Sequence, residues 1–70
     1  MNGGIRLKHH LLKKVRKSKG LTQEQVAREM DISLSHYKSM ENGIRNVTLM
    51  NARKLALLFE KNIEDIFFES

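Results

Sequence analysis

The chain has 70 residues, 40% of them hydrophobic, and a formal net charge of +5, so we expect one small domain over residues 1–70. It contains no cysteine, which excludes disulfides and thiolate metal sites. No apolar run approaches the roughly 18 residues of a membrane span, and Met1–Gly4 lack the apolar stretch of a secretory signal. We therefore expect a cytoplasmic protein that does not contact a membrane.

Apolar residues recur at spacings of three and four rather than two, which predicts an all-α fold with five helices. The first helix covers about residues 7–18 and ends at Gly20, and residues 1–6 are expected to form a flexible arm. Thr22 opens the second helix, where its hydroxyl and the Gln25 side chain fit a capping box. The inward residues of these two helices are Leu11, Leu12 and Val15, then Val26, Ala27 and Met30.

The second helix breaks at residues 31–33, and Ser33 is a suitable cap for a third helix over residues 34–41. Tyr37 and Met40 are its inward residues. Two short amphipathic helices joined by a three-residue break are typical of a helix-turn-helix, which indicates DNA binding.

The third helix stops at Asn42-Gly43. Thr48 can cap a fourth helix, and Asn62 a short fifth helix over residues 63–68. The residues expected to face inward from the fourth helix are Leu49, Ala52, Leu55, Ala56 and Phe59.

Charge is unevenly distributed along the chain. Residues 1–23 carry seven Lys or Arg and no acid, whereas residues 48–70 carry three basic and four acidic side chains. The basic segment, residues 1–23, is suited to lie against phosphates, although a charge run is also typical of a solvated helix face.

Segments 13–27, 33–43, 52–56 and 63–67 together resemble the helix-turn-helix family of phage lambda repressor and Cro, the xenobiotic-response-element family. The resemblance covers about residues 12–67. It implies a compact five-helix, lambda-repressor-like domain that binds an operator as a dimer, with the third helix in the major groove. Two positions depart from the family: Asp31 where glycine is common, and Val47 where proline is common.

The candidate DNA-binding residues lie on the outward side of the third helix and on the segments that flank it. Hydroxyls, an imidazole and an ammonium can bind base edges or phosphates, and a leucine can press on a thymine methyl. The resemblance implies that the glutamine opening the second helix contacts a phosphate and supports the third helix. The full set is Gln23, Ser33, Leu34, Ser35, His36, Lys38, Ser39, Asn42 and Arg45.

The resemblance also implies a structural ion pair between Arg16 and Glu41, with the alternative that Arg16 belongs to the basic DNA-facing side. Leu57 and four further apolar residues form a surplus at the C-terminal end, where a second subunit is expected. Alternatively, the phenylalanines among them close the core of the monomer. The candidate dimer interface is Leu58, Ile63, Phe67 and Phe68.

We expect no enzyme and no cofactor, because the sequence offers no nucleophile–base set, no phosphate-binding glycine loop and no clustered carboxylates. His9-His10 is a poor chelate, since adjacent helical residues point about 100° apart, so no metal is expected.

The predicted function is that of a sequence-specific transcriptional regulator, a dimeric repressor that binds double-stranded DNA. The main alternative is a small phage- or plasmid-type modulator or antitoxin that binds another repressor or a toxin. RNA binding is a weaker third possibility, because exposed aromatic platforms are lacking.

Overall fold

The computed structural model describes residues 10–67, so the predicted arm, the predicted start of the first helix and Phe68 lie outside the described residues. Within this range all regular structure is helical and no strand occurs, which confirms the all-α prediction. The five helices are α1 (His10–Ser18), α2 (Gln23–Met30), α3 (Leu34–Glu41), α4 (Leu49–Phe59) and α5 (Ile63–Phe67). No helix of the described part is long and apolar enough to cross a membrane.

Side-chain caps define where three of the helices begin. The Thr22 hydroxyl accepts a hydrogen bond from the Gln25 amide at 3.0 Å, and the Gln25 side chain accepts one from the Thr22 amide at 2.8 Å. The hydroxyls of Ser33 and Thr48 each accept from the backbone amide three residues later, at 3.0 and 3.1 Å. These bonds satisfy amides that have no partner inside the helix. The predicted caps at all three positions are confirmed.

Two helices end on residues with left-handed backbone conformation. Asp31, which follows α2, has φ 59°, and Glu60, which follows α4, has φ 56°. Each cap amide donates back to carbonyls in the last turn of its helix. Residues other than glycine are strained in this conformation, although aspartate tolerates it better than most.

Replacing Asp31 by glycine is expected to raise the free energy of unfolding by about 0.5–1 kcal/mol, because glycine adopts positive φ without a steric penalty. Chemical denaturation followed by circular dichroism measures this change. The control is Glu29→Gly inside α2, which is expected to lower stability by about 1 kcal/mol. A loss of stability in Asp31→Gly would contradict the assignment of a strained turn.

The core lies where α2 packs against α3 and α4, and where α5 packs against α1 and α4. Among residues 10–67, twelve hydrophobic side chains are buried there. They are Leu12, Val26, Ala27, Met30, Tyr37, Met40, Ala52, Leu55, Ala56, Phe59, Ile66 and Phe67.

Two sequence predictions about burial are wrong. Leu49 was expected to face inward but is 61% exposed, because the buried side of α4 begins only at Ala52. Phe67 was expected at a dimer interface but is 0% exposed, so it has no surface to offer a second subunit and closes the monomer's own core. Leu58 and Ile63 are half-buried against that core.

Candidate nucleic-acid interface

The outward side of α3 is defined by the two side chains that anchor the helix in the core. Tyr37 and Met40 are both 0% exposed. Since residues four apart share a helix face, Ser35 and Ser39 lie together on the opposite side, with Lys38 beside them. Ser35 and Lys38 are exposed, whereas Leu34, His36 and Ser39 are half-buried.

The loop after α3 folds back against the last turns of that helix. The amides of Ile44 and Arg45 both donate to the Ser39 carbonyl, at 3.0 and 3.1 Å. Asn42 and Arg45 are exposed, so Arg45 lies next to the outward side of α3. The sequence indicated a loop here but not this contact, since nothing in a local pattern specifies a bond to the Ser39 carbonyl.

The N-terminus of α2 is linked to the C-terminus of α3 through Gln23. This half-buried side chain donates from Nε2 to Glu41 Oε1 at 2.9 Å. An amide NH₂ has two hydrogens, so one N–H remains to bind another acceptor. Ser33, at the start of α3, is exposed while its oxygen caps the helix.

A buried polar network centred on Glu41 holds these elements together. Arg16 Nε donates to Glu41 Oε2 at 2.5 Å and Arg16 Nη2 to Oε1 at 3.3 Å, and the two side chains are 8% and 1% exposed. The Tyr37 hydroxyl donates to Oε2 at 2.7 Å. Arg16 Nη1 also donates to the Leu21 carbonyl at 2.8 Å. The network therefore joins α1, α3, the α1–α2 loop and, through Gln23, the start of α2.

Only the resemblance suggested that Arg16 pairs with Glu41, and the bonds from Tyr37 and Gln23 to Glu41 were not predicted. Tyr37 lies one helical turn before Glu41, so the spacing was available as a signal. For Gln23 no local signal exists, because it lies on another helix.

The network changes the acid–base properties of its members. Burial disfavours the Glu41 carboxylate, but hydrogen bonds from Arg16, Tyr37 and Gln23 outweigh this effect and lower its pKa below the ordinary 4.5. The hydrogen bond to Glu41 raises the pKa of Arg16 above its ordinary value despite the opposing effect of burial. Burial and the adjacent carboxylate raise the pKa of the Tyr37 hydroxyl. At neutral pH the ion pair is fully charged.

Stability is expected to fall as the pH drops below about 4.5, because the unfolded chain then protonates Glu41 before the folded domain does. The contribution of Glu41 to stability is complete above the ordinary pKa of glutamate, and it is lost as the pH falls through the lowered pKa of Glu41 in the folded domain. Denaturation at a series of pH values measures it. Glu29→Gln, a matched change at an exposed position, is expected to keep the fall, whereas Glu41→Gln reduces it. An equal slope in both variants would contradict the assignment.

Within residues 10–67, no three His, Cys, Asp or Glu side chains are grouped to hold a metal ion. The surface described above instead presents hydroxyl, ammonium, guanidinium and amide groups, which bind phosphates and base edges. A family model described as helix-turn-helix matches residues 12–66. The chain belongs to this family.

Relatives of this helix-turn-helix protein include named regulators. Control protein C.MunI of Mycoplasma sp is 40% identical over 57 residues, which are 80% of this chain and 77% of the relative. The uncharacterized HTH-type transcriptional regulator YqaF of Bacillus subtilis (strain 168) is 41% identical over 44 residues, 63% of this chain and 58% of the relative.

Solved structures of similar fold point to the same group. The restriction-modification controller protein C.AhdI from Aeromonas hydrophila has a TM-score of 0.78 and 34% identity, covering 84% of this chain and 89% of that one. The clp gene regulator ClgR from C. glutamicum also has a TM-score of 0.78, covering 83% and 75%, but its 19% identity shows the fold alone. This helix-turn-helix protein is a DNA-binding transcriptional regulator.

Proposed function

We propose that this regulator is a control protein of a restriction-modification system, which binds an operator as a dimer and represses the promoter that it occupies. The observation that carries the proposal is similarity to two control proteins. C.MunI matches 80% of the chain at 40% identity, and C.AhdI matches 84% with a TM-score of 0.78. Both matches extend well beyond the α2–α3 unit, so they concern the domain as a whole.

In the proposed complex α3 lies in the major groove and presents its outward side to base edges. Ser35, Ser39 and Lys38 form the centre of that side. Lys38 is the strongest base-reading group there, because an ammonium donates well to guanine O6 and N7. Leu34 and His36 lie at its edges, where a leucine can contact a thymine methyl and an imidazole can donate to a base or a phosphate.

Phosphate contacts are proposed at both ends of α3. Near its C-terminal end, the free N–H of Gln23 and the amides in the first turn of α2 are suited to one phosphate, because helix N-termini attract anions. Asn42 and Arg45, on the loop folded against the last turns of α3, are suited to another. Ser33 offers a hydroxyl at the N-terminal end of α3, where its oxygen caps the helix.

The buried network supports this mode of binding. Glu41 bonds to Arg16, Tyr37 and Gln23 at once, so it determines how the start of α2 sits relative to α3. A phosphate contact by Gln23 and base contacts by α3 need that relation to be rigid, since a misplaced contact contributes little affinity.

Footprinting on the duplex upstream of the chain's own coding region tests the proposal. Regulators of this type commonly bind there, and a twofold dimer protects two half-sites centred about 34 Å, or ten base pairs, apart. A duplex of the same composition in scrambled order is the control. Absence of protection, or equal protection of the scrambled duplex, would overturn the proposal and favour a protein that acts by binding another repressor or a toxin.

A further inference from the structure

The α3–α4 loop exposes one large apolar side chain close to the end of α3. Ile44 is 79% exposed, and it is the second residue after Asn42, which caps the C-terminus of that helix. A single exposed apolar side chain is ordinary on a protein surface, so exposure alone assigns no role to Ile44. The backbone around it is more informative, because it determines which part of α3 the side chain lies beside.

The end of α3 has the hydrogen bonds of a Schellman motif. The Ile44 amide donates to the Ser39 carbonyl at 3.0 Å, and the Gly43 amide donates to the Met40 carbonyl at 3.2 Å. Gly43 has φ 77°, the left-handed conformation on which this motif depends. The motif brings the residue in the position of Ile44 next to the last turn of the helix, where it often makes a hydrophobic contact. Ile44 therefore lies beside Ser39.

Polar side chains occupy the positions of α3 where this motif usually provides an apolar partner. These positions hold Ser39 and Lys38, and Ile44 remains exposed beside them. Both residues belong to the outward side of α3, which faces the major groove in the proposed complex. Ile44 is therefore an uncovered apolar group at the edge of the proposed DNA interface.

The charged groups near Ile44 favour DNA as the partner that covers it. Lys38 and Arg45 are exposed and positive. Glu41, the nearest acid in sequence, has a side chain that is 1% exposed and bonded to Arg16. An apolar side chain next to two exposed cations matches a partner that presents phosphates together with an apolar group. In the major groove of DNA that apolar group is the C5-methyl of thymine.

We propose that Ile44 contacts the C5-methyl group of a thymine in each half-site of the operator, at the edge of the bases that Ser39 and Lys38 face. The inference rests on the proposed function and adds to it a residue that selects a base through an apolar contact. The Arg45 amide also donates to the Ser39 carbonyl, at 3.1 Å. Two successive loop residues are thus held against α3, so Ile44 needs little further ordering when it binds.

A thymine-to-uracil scan of the upstream duplex tests the inference, because uracil lacks the methyl group but keeps the hydrogen-bonding groups of thymine. Binding isotherms are measured with one pair of thymines, related by the twofold axis of the operator, replaced at a time. At one such pair the wild-type chain is expected to lose affinity about fourfold for each methyl removed, which is the contribution of one buried methyl group.

Ile44→Ala is expected to bind the thymine duplex more weakly and to lose its sensitivity to uracil at that pair, since the methyl then has no apolar partner. The matched control is Leu49→Ala, the same kind of change at a side chain that is 61% exposed in the first turn of α4. This variant is expected to keep the full effect of the methyl. Both variants are expected to fold, because the side chains are exposed, and circular dichroism checks this.

Three results would overturn the inference. An effect of uracil that is equal in Ile44→Ala and the wild-type chain, or that is absent at every thymine, would do so and leave operator binding intact. A loss of affinity in Ile44→Ala that is the same on all duplexes would also do so, because it would indicate contact with the DNA backbone. A wild-type chain that binds the upstream duplex no better than its scrambled control would overturn the proposed function together with the inference.

Discussion

Glu41→Ala is expected to lower the free energy of unfolding by about 3–5 kcal/mol, which is a large part of the stability of a domain of this size. The substitution leaves the Arg16 guanidinium charged in a site where its side chain is 8% exposed. It also removes the acceptor of the Tyr37 hydroxyl and of the Gln23 amide. The Tyr37 hydroxyl then has no acceptor and Arg16 keeps only its bond to the Leu21 carbonyl, and unpaired buried groups are costly.

Urea denaturation and thermal melting, both followed by circular dichroism, measure the loss. Glu29→Ala is the matched control, because it removes a carboxylate from an exposed position on α2 and is expected to change stability by no more than about 0.5 kcal/mol. An unchanged melting temperature in Glu41→Ala would show that the network does not stabilise the domain.

Lys38→Ala is expected to weaken operator binding by about tenfold or more, because the ammonium is exposed on the outward side of α3 and a base contact contributes about 1–3 kcal/mol. It is also expected to relax the preference at one base pair of each half-site. The control is Arg28→Ala, which removes one exposed positive charge near the C-terminal end of α2, away from Gln23. This variant is expected to retain affinity for the operator.

Binding isotherms on the operator and on single-base variants of it separate the two roles open to Lys38. If Lys38 contacts a base, Lys38→Ala binds the operator more weakly but binds unrelated DNA as tightly as the wild-type chain does. A loss that is equal on all sequences, with a salt slope smaller by about one, would show that Lys38 binds a phosphate and would contradict the base-reading role.

Local chemistry explains why much of the fold was predictable from the sequence. Thr22, Ser33 and Thr48 cap their helices through atoms three residues away, so the pattern alone locates each start. The resemblance singled out Asp31, because glycine is common there, and aspartate tolerates the left-handed conformation better than most residues. Glu60 adopts the same conformation but gives no such signal, because glutamate has no short side chain to bond locally.

The errors concern tertiary packing. Leu49 lies one turn before the first buried residue of α4 and Phe67 lies at the end of α5, and in both cases burial depends on how far the neighbouring helices extend. Periodicity identifies the apolar side of a helix but not the length over which another helix covers it.

The candidate site was predictable to a similar degree. The inward positions of Tyr37 and Met40 were enough to identify the outward side of α3. The bond from Gln23 to Glu41 joins residues 18 apart in sequence, and the bond from Arg16 to Glu41 joins residues 25 apart, so neither follows from a local pattern. The resemblance suggested the bond from Arg16, whereas only the folded structure showed that the Glu41 carboxylate accepts hydrogen bonds from both Arg16 and Gln23.

Salt-titrated binding to the duplex upstream of the chain's own coding region tests the central claim most directly. Specific binding with a steep dependence on salt is expected, weakened in both Gln23→Ala and Lys38→Ala, because several phosphates are neutralised and their counterions released. Since glutamine is neutral, Gln23→Ala is expected to keep the salt slope, whereas the slope in Lys38→Ala depends on whether the ammonium binds a base or a phosphate. Binding that is absent, or that is equal on unrelated DNA, would contradict the proposed role as an operator-binding control protein.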